Sequence, residues 1–167
     1  RPSRIDAARH SAAILKLLVK RLRAQWPEVR IVFRGDSGFC RARIINYCER
    51  AKVDYIIGLA RNARLQQITE FMELSMQDEF KLSGIKQREV GEFMYAAGSW
   101  PHERRVITRL EYGDQGNNPR YIVTNMDGDA QSLYDTVYCQ RGEAENRIKE
   151  AQVGLFATRT SCHHFQS

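Results

Sequence analysis

A carboxylate closes the run IVFRGDSGF: Ile31 to Phe33 are apolar, Arg34 and Gly35 follow, and Asp36 stands at the end of what reads as a strand. A rigid strand end can hold a hard oxygen ligand still while the loop beyond it admits substrate, which suits metal-dependent phosphoryl transfer. Far downstream, YCQRGEAENRIKE carries Tyr138, Arg141, Glu145 and Lys149 at helical spacing. At about 100° per residue these four and Gln152 span an arc of about 80°. They form one polar stripe. Leu133, Val137, Ala144, Ile148, Ala151 and Leu155 make an apolar stripe directly beside it. The polar stripe therefore borders the buried face, where a cleft would lie.

Each signal also has a plainer reading. An Asp after a strand commonly forms a turn or caps a helix, as Asp36-Ser37-Gly38 could. Arg141, Glu145 and Lys149 could be only i,i+4 ion pairs on a solvated face, each worth a few tenths of a kcal/mol. What singles them out is their conjunction, 145 − 36 = 109 positions apart with a β-rich stretch between them.

The elements that must position these residues follow from hydrophobic period. Ile14, Leu15, Leu18 and Leu22 fall on one face of a helix predicted from about Asp6 to Gln25, with Asp6 as N-cap and Pro27 forcing the exit. Val29 to Phe33 reads as a buried strand, Cys40 to Ala51 as a helix and Val53 to Leu59 as a second strand. That order, with short connections, implies parallel neighbours in one sheet. Leu65 to about Phe80 reads as helix again. Then Glu89 to Ala97, Arg104 to Tyr112 and Arg120 to Thr124 read as strands separated by the turn-rich runs GSWPHE and YGDQGNNP. From about Asp129 the chain returns to helix.

Composition sets outer bounds. The 167 residues suit one domain with a real core. The formal charge of +6 is spread along the chain, which fits a polyanionic partner but also many ordinary proteins. Cys40, Cys48, Cys139 and Cys162 form no C-x-x-C pair, and no secretory signal or membrane-length apolar run is present, so reduced, packed thiols are expected. Cys162, His163 and His164 lack a second ligand pair at zinc-binding spacing. Trp26 and Trp100 read as packing residues before base-stacking platforms. Arg61 and Arg64 follow the second strand, on the rim shared with Asp36, and read equally as phosphate contacts or a solvated face.

The runs RGDSGF, YCERAKVDYIIGLARNARL, YIVTNMDGD and YCQRGEAENRIKEAQVGLFATRTSC, in this order across nearly the whole chain, resemble the C-terminal part of a DDE transposase from a bacterial insertion sequence. The resemblance implies an α/β fold: a ribonuclease H-like core, N-terminally incomplete, with an antiparallel β insertion at about 84–124 before a late catalytic helix. It places catalytic, metal-holding carboxylates at Asp36 and Glu145. It also implies DNA contacts from Tyr138 and Arg141. The family signature Y-x2-R-x3-E-x6-K is met at Tyr138, Arg141 and Glu145, but Gln152 stands where Lys is usual, and Lys149 lies one turn earlier on the same face.

The implied activity is cleavage and joining of DNA strands with Mg²⁺, or Mn²⁺ in its place, the partners being transposon ends and target duplex in the bacterial cytoplasm and nucleoid. The oligomeric state stays open, a dimer on DNA being one arrangement. The family's first Asp would lie upstream of Arg1, so these residues alone are expected to bind DNA without cutting it. Two alternatives stand beside transposition: a hydrolytic nuclease with the same site, and a non-catalytic DNA-binding remnant of a decayed element.

Overall fold

A computed structural model describes residues 8–139. Asp6, Arg141, Glu145, Lys149, Gln152 and the Cys162-His163-His164 run lie outside the described residues. Helix α1 (Ser11–Gln25) leads into strand β1 (Val32–Gly35), then α2 (Ala42–Arg50), β2 (Asp54–Leu59) and α3 (Ala63–Ser83). Strands β3 (Gln87–Tyr95), β4 (Arg104–Gly113), the two-residue β5 (Gly116–Asn117) and β6 (Arg120–Thr124) follow, and then α4 (Ala130–Ser132) runs into a π turn over Leu133–Tyr138.

The strands form one sheet in the order β1-β2-β6-β4-β3, with β5 beside β4. β1 and β2 are parallel, as their helical crossover requires, with Gly35 opposite Ile57. All other pairings are antiparallel. The stretch read from sequence as an insertion is antiparallel as expected. It does not stand apart from the core, however, because β6 pairs directly with β2, Ile57 opposite Val123. The reason lies in burial: Ile107 of β4 and Ile122 of β6 are fully buried on one face while Val106 and Val123 are fully buried on the other. Strands covered on both faces belong in the middle of a sheet.

One face carries α1, α2 and α3 over a core that includes Leu15, Ile44, Ile45, Tyr55, Ile57, Val106 and Val123. The other packs Ile56, Ile107 and Ile122 against Met126, Leu133 and Tyr134. Polar bonds fasten the helical layer down. Arg104, buried at the start of β4, donates from Nε and Nη2 to the two Glu49 oxygens at 2.6 and 2.9 Å, and from Nη2 to Asn46 Oδ1 at 2.7 Å. The Tyr55 hydroxyl donates to Glu49 Oε1 at 3.0 Å. α3 starts at Asn62, whose side chain accepts from the Leu65 amide, and stops at Gly84 with φ 66°.

Helix α1 departs from its sequence reading. It begins at Ser11, after His10 in the left-handed region, and its buried line is Ala12, Leu15 and Val19. Ile14 and Leu18 are about half exposed, and Leu22 is also open to solvent. α1 bears apolar residues on two stripes, and the one facing α2 is the one with the smaller side chains. Trp26, expected to pack, is 61% exposed at the end of α1, whereas Trp100 is buried edge-on against Tyr95 at 5.7 Å. Among the described residues no helix is long and apolar enough to cross a membrane.

Candidate active site

The sequence RGDSGF folds into a tight hook. Phe39 turns back onto Phe33, ring centroids 6.3 Å apart, above Gly35; a Cβ at Gly35 would lie 3.1 Å from Phe39 Cβ. Between them Ser37–Phe39 make one 3₁₀ turn with Asp36 as its cap, and the Asp36 carboxylate accepts from the Gly38 amide at 2.8 Å. The capping role that the sequence allowed is therefore real. It coexists with a position at the C-terminal end of a strand, because one carboxylate oxygen pinned by backbone fixes the direction of the whole group.

Tyr138 arrives at the same hook from across the sheet. The parallel register sets Gly35 against Ile57, so Gly58 comes next to Asp36. A Cβ built on Gly58 would lie 2.7 Å from the Tyr138 hydroxyl oxygen, 2.9 Å from the Ser37 nitrogen and 3.3 Å from the Asp36 carbonyl carbon. Only a residue without a side chain lets the phenol and the Asp36–Ser37 backbone meet over β2. Two residues singled out from sequence, 138 − 36 = 102 positions apart, thus share one point in the fold.

The segment that delivers Tyr138 is held from three strands. Arg34 of β1 donates from Nη1 to the Val137 carbonyl at 2.8 Å. Arg88 of β3 pairs with Asp135, and the Arg109 guanidinium of β4 sits 5.6 Å from the centre of the Tyr134 ring. Tyr134 in turn lies 5.6 Å from Tyr138, and burial pushes the Tyr134 phenol up to about 12. The segment is a π turn, closed by the Cys139 amide on the Tyr134 carbonyl at 3.0 Å. Five-residue closure widens the turn, so the 100° spacing assumed from sequence does not hold across Leu133–Tyr138.

Arg61 and Arg64 lie just beyond β2, both exposed. With the Gln66 amide oriented to satisfy both groups, its oxygen accepts from Arg61 Nε at 3.2 Å and Nη2 at 2.7 Å. Arg64 donates to the Ala96 carbonyl at 3.1 Å and covers the Tyr95 ring at 5.5 Å. Asp129 caps α4 through the Ser132 amide. Arg34 and Gly58 were not picked out from sequence as site residues; a glycine inside VDYIIGL and an arginine inside a strand carry no local sign of partners so far along the chain.

A divalent cation asks for hard oxygen donors, and Asp36 is one of the right kind, on a rigid turn. No group of three or more His, Cys, Asp or Glu side chains able to hold a metal ion occurs among the described residues. The described part of the chain thus offers Asp36, and the second expected carboxylate, Glu145, lies outside it. In comparisons with known proteins, the model of the family described as transposase DDE domain, group 1, matches residues 1–167. No curated protein and no solved structure matches the chain.

Proposed function

Because this chain belongs to the DDE transposase family, we propose that it forms part of the catalytic domain that cleaves DNA at the ends of an insertion sequence and joins the freed ends to target DNA. The observation that carries this reading is the meeting of Asp36 and Tyr138 over Gly58. A fixed carboxylate and a phenol donor at one strand end are what a site for the DNA backbone needs: one group for the ion, one for phosphate oxygens.

In this reading Asp36 and Glu145 hold Mg²⁺, or Mn²⁺ in its place. Bound ions of this kind activate the attacking oxygen and stabilise the leaving one. The chain's own side chains do the rest. The Gly38 amide keeps Asp36 from swinging away, Tyr138 and Arg141 donate to the phosphate beside the cut, and Lys149, Arg61 and Arg64 track the backbone further out. Preorganised donors of this sort need no rearrangement when charge develops.

The fold proposed is a ribonuclease H-like core that continues past β1. Two observations support continuation: among the described residues, β1 ends the strand order, and the outer face of α1 leaves Ile14, Leu17 and Leu18 about half exposed. The test is to assay the chain within the longer transposase on DNA carrying the element's ends, with Mg²⁺. Joined products support transposition, cut products without joining support a nuclease, and wild-type cutting by Asp36→Asn removes Asp36 from the catalytic set.

A further inference from the structure

Arg34 lies on the face of β1 opposite Phe33, paired with Ile56, beneath the layer where Leu133, Tyr134 and Val137 pack. A charged side chain aimed into such a layer has to be hydrogen-bonded there. Its bond to the Val137 carbonyl falls on the peptide immediately before Tyr138. Gly58 receives the other end of the same residue, the hydroxyl. Tyr138 is therefore tied at its backbone to β1 while its hydroxyl lies against Gly58 of β2, on the two parallel strands that also set Asp36.

We propose that Arg34 is a positioning residue of this site, acting through the Val137 carbonyl to hold the π turn and so keep Tyr138 over the Asp36 hook, and not a phosphate ligand itself. This rests on the reading of Tyr138 as a DNA contact. A π turn closes with one residue more than an α turn, and the regular alternative would pass the Cys139 amide to a different carbonyl and rotate Tyr138 about the helix axis. Arg34 binds a carbonyl inside this π segment, on the peptide that leads into Tyr138. Without it the turn loses its tie to β1, and the phenol is no longer required to sit at Gly58.

The experiment is a double-mutant cycle read by affinity for a short duplex DNA at several salt concentrations. Arg34→Met, which keeps the stem and drops the donors, should weaken binding about fivefold, the scale of one hydrogen bond. The salt slope should stay unchanged. Combining it with Tyr138→Ala should add little to either single loss, and Arg34→Lys, which retains a donor, should restore most of the affinity.

A slope reduced by about 0.9 in Arg34→Met would make Arg34 a phosphate contact and overturn the proposal. So would additive losses, or unchanged affinity in a protein where Tyr138→Ala does weaken binding. If Tyr138→Ala itself binds normally, the reading of Tyr138 as a DNA contact has failed, and the positioning role falls with it. Should Arg34→Met not fold, Arg34→Gln enters the same cycle, its short side chain being unable to replace the guanidinium at Val137.

Discussion

The Tyr138 hydroxyl fills the space that a side chain at Gly58 would need: a Cβ there would come within 2.7 Å of it. Gly58→Ala must therefore displace either Tyr138 or the Asp36–Ser37 backbone. Overpacking of this kind costs about 1–3 kcal/mol. We expect a lower unfolding midpoint and a loss of DNA cleavage larger than that destabilisation explains. Adding Tyr138→Phe should recover part of the stability and not all, because the contact with the Ser37 nitrogen at 2.9 Å remains. Full recovery would place the whole strain on the phenol.

Asp36 caps the 3₁₀ turn, and one substitution separates that role from the proposed one of holding a metal ion. Asn is as good a cap as Asp, so Asp36→Asn should keep the bond to Gly38 and unfold within about 0.5 kcal/mol of wild type. It cannot supply an anionic oxygen. Cleavage by the transposase containing it should fall to the uncatalysed background, while Asp36→Ala should lose both activity and about 1 kcal/mol of stability. An active Asp36→Asn enzyme would leave Asp36 as a cap alone.

Much of this fold could be read from the chain, and the parts that could not share a physical cause. The parallel β1–β2 pair follows from a strand, a helix and a strand with short links. Yet β1 begins at Val32 and not Val29, because its start is set by pairing with Asp54 of β2, to which Arg30 is also bonded. The turn-rich runs marked three of the antiparallel strands, but only the long-range pairing of β6 with β2 makes them the larger part of the sheet. On α1, period alone offered two apolar stripes and could not say which faces α2. At the site, Asp36 and Tyr138 stood out by residue type and spacing. Gly58 and Arg34 did not, since what makes them matter is a hydroxyl 80 residues on and a backbone carbonyl 103 residues on.

Glu49 gives the fold a measurable pH dependence. Burial works to raise its carboxyl, but hydrogen bonds from Arg104 and Tyr55 and the Arg104 charge outweigh that and hold it below its ordinary value of 4.5. A carboxyl depressed in the folded state contributes stability above its ordinary value and loses it as pH falls through the folded one. Denaturant unfolding should accordingly show stability dropping below about pH 4.5 in wild type and dropping less over the same window in Glu49→Gln. Arg104→Met, which takes the guanidinium from Glu49 and leaves it the Tyr55 hydroxyl, should cost about 1–3 kcal/mol at neutral pH. A flat Glu49→Gln difference across the acid range would mean the bonds do not survive in solution.

Arg61 and Arg64 stand on one rim but are engaged differently, and that difference predicts different losses. Arg64 bonds the Ala96 carbonyl and covers Tyr95, so it ties the start of α3 to the end of β3. Arg61 bonds Gln66 of its own segment. If both also meet DNA phosphates, Arg61→Ala should lower the salt slope of binding by about 0.9 with the unfolding midpoint unchanged. Arg64→Ala should lower the slope by a similar amount and in addition cost about 0.5–1 kcal/mol, the worth of an exposed cation–π contact. The pair of measurements, slope and midpoint, keeps the two roles apart: a lost midpoint with an intact slope would assign Arg64 to packing alone, and two intact slopes would move the DNA track off this rim.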